Sequence, residues 1–141
     1  MMPAEPLRES AVNIDLSPRF VQSSAIVGSP ATNAITSVCT VTCPSNAAVV
    51  SGVQLFGQVS LTVGTSGVTC LVQIRQTGTA GTVVGSSGAV TVVAGNLVNV
   101  TVSGFDTAAA LPGQVYIIAV TIGSGAATST VGFTQLSALV V

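Results

Sequence analysis

The side chains that could carry out catalysis are few, and their positions do not favour an active site. The sequence contains no histidine, three arginines and four carboxylates, which are Glu5, Glu9, Asp15 and Asp106. Histidine is the usual base of serine and cysteine triads and the commonest metal ligand. Most of the carboxylates lie near the start of the chain, away from any region able to form a pocket. We therefore expect a protein that is not an enzyme and that uses no cofactor.

Three cysteines remain as candidate ligands or nucleophiles. Cys39 and Cys43 are separated by Thr-Val-Thr, and Cys70 follows later in the chain. This set is one ligand short of a structural zinc site, so we expect no bound metal and interpret the thiols as buried apolar groups. In an extended strand Cys39 and Cys43 lie about 13 Å apart, which is too far for a disulfide. A bridge from Cys70 to either of them remains open at this point.

Charge and hydropathy exclude two classes of partner. Three arginines without a lysine cannot neutralise a run of phosphates, so we expect no binding to nucleic acid. The mean hydropathy is +0.80, but the longest apolar run, Val115–Val120, is much shorter than the ~18 residues of a membrane-spanning helix. We therefore expect no contact with a membrane. The first residues have no basic segment followed by an apolar stretch, so we expect no secretory signal.

The charged residues are concentrated at the N-terminus. Only 5% of all residues are charged, against about 25% in an average soluble domain, and beyond position 20 they are Arg75 and Asp106. Residues 1–20 combine prolines with few large apolar groups, which is typical of a segment without a core. We predict an extended N-terminal arm over 1–20, with an unattached tail as the alternative, and a β-domain over 21–141. The arm residues expected to contact neighbouring subunits are Glu5, Arg8, Glu9, Asp15 and Arg19.

From about Phe20 onward the sequence predicts β-strands, because apolar residues recur at every second position. Such alternation runs over 53–63, 68–74 and 98–102. The segments 63–68, 84–89 and 122–126 combine glycine and serine in the manner of tight hairpin turns. No segment has the periodicity of a helix. The sequence therefore predicts a single antiparallel, jelly-roll-like β-sandwich.

One predicted strand, Val115–Ile122, is apolar on both faces. Such a strand buries one face in the core and the other against a second layer or a second subunit. A central strand covered by a loop would explain the pattern, but the charge-poor composition and the apolar C-terminus favour a subunit interface. We assign that interface to Tyr116, Ile118, Val120, Ile122 and Phe133.

The C-terminal third resembles a known group of domains. The segment 111–122 contains a Pro-Gly turn that leads into a strand with an aromatic residue, and 131–141 is a short apolar strand that ends the chain. This arrangement is similar to the closing strands of small jelly-roll domains in phage head-decoration and fibre proteins. It resembles the tumour-necrosis-factor and C1q jelly rolls more distantly. The resemblance implies a homotrimer that projects from a capsid or lies on it, held there by the N-terminal arm.

These observations favour a structural virion protein of a bacteriophage, assembled in the host cytoplasm. We expect a capsid decoration (cement) protein or a minor capsid subunit, whose partners are the major capsid protein or another virion protein and copies of itself. The alternative is a receptor-binding or fibre-tip domain. An adhesive domain concentrates aromatic or charged residues at its loop tips, whereas these loops are rich in Gly, Ser and Thr, with Gly104-Phe105-Asp106 as the exception. A non-viral structural surface protein is the third alternative.

Overall fold

The structure, a computed structural model, describes residues 20–26, 34–44, 51–64, 68–107, 113–123 and 129–141. Every regular element in these ranges is a β-strand, and no helix there is long and apolar enough to cross a membrane. The strands are β1 (Phe20–Ile26), β2 (Ile35–Thr42), β3 (Val53–Val63), β4 (Val68–Gln76), β5 (Val83–Val92), β6 (Val98–Asp106), β7 (Val115–Ile122) and β8 (Ser129–Val140). The predicted all-β class is confirmed.

The strands pair antiparallel in the order β1-β8-β3-β6-β5-β4-β7-β2. This order separates into two four-stranded layers, β1-β8-β3-β6 and β2-β7-β4-β5, joined where β6 meets β5. Most consecutive strands lie in opposite layers, which is the topology of a jelly roll. The chain is therefore a single antiparallel jelly-roll sandwich, as its sequence predicts.

The core lies between the two layers and consists of the inward-facing apolar residues of all the longer strands. Alternation along β3 and β4 places residues such as Leu55 and Ile74 inside, with almost no exposed surface. Gly57 faces Ile118 across the core, since a Cβ at position 57 would lie 2.8 Å from Cδ1 of Ile118. The glycine in β3 therefore makes room for a large side chain of β7.

The junction between the layers depends on two glycines. Gly85 of β5 and Gly104 of β6 are directly opposite each other. A Cβ on Gly85 would lie 2.5 Å from the Ser103 carbonyl oxygen, and a Cβ on Gly104 would lie 2.3 Å from the Val84 carbonyl oxygen. Because these neighbours are backbone atoms that cannot rotate away, the two strands can approach this closely only without side chains here.

Side chains hold the opposite edge of the sandwich, where β1 and β2 come together. The buried Thr134 hydroxyl of β8 is 3.0 Å from the Ala25 carbonyl oxygen of β1 and 3.2 Å from that of Val38 in β2. The Cys39 thiol adds a bond to the Ser23 carbonyl oxygen at 3.5 Å. A bulge between Ser37 and Cys39 interrupts the ladder of β2 here. This bulge leaves the Val38 carbonyl near the Thr134 hydroxyl.

The predicted hairpin turns are wrong where the structure describes them. Residues 63–68 connect β3 to β4 in opposite layers, and residues 84–89 lie within β5. The glycine and serine residues of 84–89 form an irregular part of the strand, because the Val72 amide donates to the Ser87 hydroxyl at 3.2 Å beside a bulge in the β4–β5 ladder. The true hairpin joins β4 to β5 through residues 77–82. The third predicted turn, 122–126, lies mostly outside the described residues.

Candidate functional site

Strand β7 places the predicted interface residues inside the sandwich. The side chains of Tyr116, Ile118, Val120 and Ile122 each have 0% exposed surface within a single chain. β7 is a central strand between β2 and β4, so its inner face meets β3 across the core. These burial values fit the alternative of a central strand. The subunit interface stays a prediction, and of the residues assigned to it only Phe133 is exposed.

The outer face of β7 is also covered by its own chain. Ile117 is buried although it points away from the core, and it pairs directly with Arg75 of β4. The Arg75 guanidinium bends over the β4–β5 hairpin, donating to Gln73 Oε1 at 2.7 Å and to the Thr79 carbonyl oxygen at 3.0 Å. The aliphatic stem of Arg75 thus lies beside Ile117. This cation is engaged by its own chain.

One buried polar cluster joins the two layers. Asp106, the last residue of β6, is 4% exposed. Its Oδ2 accepts hydrogen bonds from the Tyr116 hydroxyl at 2.7 Å and from Gln76 Nε2 at 2.6 Å. Gln76 ends β4 and Tyr116 lies at the start of β7. The carboxylate therefore links β6 of one layer to β4 and β7 of the other. Hydrogen bonds to a charged acceptor are stronger than bonds between neutral groups. We interpret the cluster of Asp106, Tyr116 and Gln76 as a link that holds the two layers together and call it the clasp.

The buried hydroxyl and thiol groups of the sandwich are held in their neutral forms. Burial raises the pKa of the Tyr116 hydroxyl, and its hydrogen bond to Asp106 raises that pKa further. Burial raises the pKa of the Cys43 thiol, with a smaller contribution from the charge of Asp106. Burial also raises the pKa of Cys70. A thiol that stays protonated at neutral pH is a weak nucleophile.

The cysteines are free and buried. Cys39 pairs with Ile118 and Cys70 pairs with Ile122, on opposite sides of β7. That register puts their Cα atoms about 16 Å apart, given ~3.3 Å per residue and ~4.8 Å between strands, well beyond the reach of a disulfide. Cys43 lies farther from Cys70 along the same direction. In the described ranges, no three ligand side chains are grouped as a metal ion would require.

The most unusual surface is the outer face of the β1-β8-β3-β6 layer. The sequence has four phenylalanines, one tyrosine and no tryptophan, and all four phenylalanines project from this face, between 46% and 54% exposed. Leu139 on the same face is 37% exposed. We call this surface the phenylalanine face. Its apolar members are Phe20, Phe56, Phe105, Phe133 and Leu139, and its glutamines are Gln22, Gln54, Gln58 and Gln135.

The strand registers bring most of these rings together. Phe20 pairs with Leu139, Leu139 pairs with Gln54 and Gln54 pairs with Phe105, so these side chains form one row across four strands. Phe56 lies in the next row, diagonal to both Leu139 and Phe105, where Cα atoms are about 7–8 Å apart and long side chains can touch. Phe133 stands ~20 Å along β8 from Leu139.

No ionisable side chain lies among the described residues of the phenylalanine face. Its polar members are amides and hydroxyls, which both donate and accept hydrogen bonds. Serine and threonine lie in the same rows as the other residues, since Phe56 pairs with Ser137 and Ser103, and Gln58 pairs with Thr101. The face is therefore apolar at its centre and neutral throughout.

The strand pattern contained a partial signal for this face. Phe56 is out of phase with the inward residues of β3, and Phe105 is out of phase with those of β6, so alternation alone places both rings outside. Phe133 is out of phase with the buried Leu136 and Val140 of β8, so the same rule places it outside. The β8 bulge changes the phase only N-terminal to Phe133 and turns Val131 inward, since Val59 pairs with Thr134 and Leu61 pairs with Val131. Of the Gly104-Phe105-Asp106 segment, Phe105 is on the surface and Asp106 is in the clasp.

The predicted arm contacts cannot be placed. Glu5, Arg8, Glu9, Asp15 and Arg19 lie outside the described residues, as does the rest of 1–19. The arm and the division of the chain at residue 20 stay predictions.

Comparison of the sequence with family models and with curated proteins finds no match. Among solved structures, the fold is similar to a chain of infectious bursal disease virus, Gx strain, with a TM-score of 0.59 and 11% identity over 88% of this chain and 33% of the viral one. It is also similar to the VP2 subviral particle of infectious bursal disease virus, with a TM-score of 0.52 and 11% identity over 98% of this chain and 37% of VP2. This chain spans about a third of the length of those viral chains.

At such low identity the likeness shows the jelly-roll fold. The kinship to phage decoration and fibre proteins that the sequence suggests stays a prediction. The sugar-binding C-terminal domain of EclA aligns more loosely, with a TM-score of 0.45 and 16% identity over 96% of this chain and 89% of that domain.

Proposed function

We propose that this chain is a structural virion protein, a capsid decoration or minor capsid subunit that works packed against other subunits. The observation that carries the proposal is the phenylalanine face, an uncharged surface with exposed aromatic rings on one layer of a jelly roll. The resemblance to phage jelly rolls and the fold shared with infectious bursal disease virus chains support the viral setting.

The composition explains why such a face needs a partner. Solubility of a free domain depends on charged groups that keep like molecules apart, and here only 5% of residues are charged. Among the described residues the charges are Arg75, folded onto its own hairpin, and Asp106, buried in the clasp. Contiguous apolar patches exposed on a soluble protein often mark interaction sites. An assembled shell would cover the phenylalanine face.

The arm completes the proposal. Residues 1–19 precede Phe20, which stands in the first row of the phenylalanine face. The charged residues of the arm supply the ionic contacts that the face lacks, and an extended segment reaches a neighbour without needing a core of its own. The partners are the major capsid protein or another virion protein, together with copies of this chain.

Catalysis and cofactor binding have no part in this proposal. The ionisable side chains in the described part of the chain either bond to its own strands or stay protonated inside the core. Their arrangement stabilises the sandwich.

Particle association is the test of the proposed function. Particles from cells that carry the gene are separated on a density gradient, and the full chain is compared with a chain that lacks residues 1–19. We expect the full chain to migrate with the particles and the truncated chain, still folded by circular dichroism, to remain at the top. A full chain found only in the free fractions would contradict the virion role, and retention of the truncated chain would contradict the role of the arm.

Adhesion is the second candidate, because exposed aromatic rings also bind ligands. The rings here stand on strands in a sheet, whereas the described loops are rich in small polar residues. A glycan array with the full chain tests this candidate, and binding lost in Phe56→Thr would favour it.

A further inference from the structure

We infer that the phenylalanine face packs against the same face of a second copy of this chain. The inference deepens the proposed structural function and rests on it for its biological setting. The contact itself depends only on the surface of the domain.

Charge is the first argument for a second copy. A surface that bears carboxylates or guanidinium groups repels its own copy unless opposite charges happen to align. The described residues of the phenylalanine face bear none, so two copies meet without repulsion. A partner of strong charge of either sign would find no complementary group on this face.

Hydrogen bonding is the second argument. The polar residues near the rings are glutamines, serines and threonines, with Gln54 between Leu139 and Phe105 in the first row. A glutamine amide both donates and accepts, so it can pair with the same side chain from another copy. Serine and threonine hydroxyls have the same property. The face is therefore complementary to itself in polarity as well as in charge.

Area is the third argument. Four strands at ~4.8 Å spacing and seven residues at ~3.3 Å give a face of about 450 Å² in projection. Two such faces cover about 900 Å², and their accessible surface is larger because the rings stand above the sheet. A biological interface needs roughly 1,000 Å². Sheets packed face to face lie about 10 Å apart with interlocking side chains, which suits rings that project from one layer.

Among the described residues, the other layer offers no comparable surface. On its outer side Arg75 and Gln73 bond to each other over the sheet. The exposed apolar residues there, Ile35 and Val83, lie at opposite edges, on β2 and β5. These two residues provide a matched control, because each is 40% exposed.

Sedimentation equilibrium of the full chain in reducing buffer tests the inference. Two chains of 13.8 kDa give about 28 kDa, and we expect this mass or an even multiple of 13.8 kDa for the wild type. The double variant Phe56→Thr/Phe105→Thr should weaken self-association at least tenfold, because it removes two rings from each side. Threonine keeps the preference for a strand. The control Ile35→Thr/Val83→Thr should associate as the wild type does.

Several results would overturn the inference. They are a monomeric wild type, a mass of about 41 kDa as in the predicted trimer, a face variant that associates normally, or a control that dissociates equally. Thermal melts of each variant at low concentration distinguish loss of contact from loss of fold. A chain that pairs in solution but never migrates with particles would contradict the virion role and leave this contact standing.

Discussion

Replacing Tyr116 with phenylalanine tests whether the clasp stabilises the sandwich. The substitution keeps the ring in a fully buried site and removes the hydroxyl that donates to Asp106 Oδ2 at 2.7 Å. A hydrogen bond to a charged group contributes about 1.5–3 kcal/mol. We therefore expect the free energy of unfolding to fall by that amount. At roughly 4 °C per kcal/mol for a domain of this size, the melting temperature should drop by about 6–12 °C.

Urea unfolding at pH 7, followed by circular dichroism in reducing buffer, measures the change. The control is Ser137→Ala, which also removes one hydroxyl but from a solvent-exposed bond to the Phe56 carbonyl oxygen at 3.3 Å. We expect the control to stay within about 0.5 kcal/mol of the wild type. If Tyr116→Phe is equally neutral, the hydroxyl bond does not hold the layers together and the interpretation of the cluster is refuted.

Three further predictions follow from the core and the surface. Gly104→Ala should destabilise the fold by about 1–3 kcal/mol, because the new Cβ would lie 2.3 Å from a backbone oxygen. The control Gly78→Ala should be near neutral in the same urea assay, because a Cβ at position 78 meets nothing within 4 Å. Stability should fall as pH rises past about 9 in reducing buffer. The ordinary pKa values are 9.0 for Cys43 and Cys70 and 10.0 for Tyr116, and folding raises the pKa of all three groups. Above about pH 9 the folded state therefore binds more protons than the unfolded state does. Constant stability from pH 7 to 10.5 would contradict that prediction. Self-association should change little between 0.01 M and 1 M salt, although the Debye length falls from about 30 Å to 3 Å. Dissociation of the copies as salt rises, measured by sedimentation, would mean that ion pairs carry the contact.

Much of the fold could be predicted because alternation reports directly on which side of a strand faces the core. Leu55 and Ile74 follow this rule, and their strands were predicted with the correct inner face. The alternation carries no information on pairing order, so the residue pattern of 63–68 predicts a hairpin where the chain crosses between layers. Residues 84–89 look like a turn in sequence, and only the Ser87 side chain, which replaces a backbone acceptor, shows why they remain in β5.

The surface was harder to predict than the core. An apolar strand such as β7 has the same pattern whether a neighbouring subunit or its own sheet covers it, and the cover here includes the stem of Arg75, which is distant in sequence from Ile117. The phenylalanine face is assembled from β1, β3, β6 and β8, and its rows exist only once the register is known. The β8 bulge that turns Val131 inward leaves no trace in the residue types.

The contact between phenylalanine faces can be tested most directly by photo-crosslinking from position 56. The full chain with Phe56→p-benzoylphenylalanine is irradiated under conditions where it associates, and cross-linked peptides are mapped by mass spectrometry with one copy isotopically labelled. Contact between the two faces predicts links between copies that end on the outer residues of β1, β3, β6 or β8. Links between copies that end on the β2-β7-β4-β5 layer, or a chain that associates without any link from this position, would contradict it.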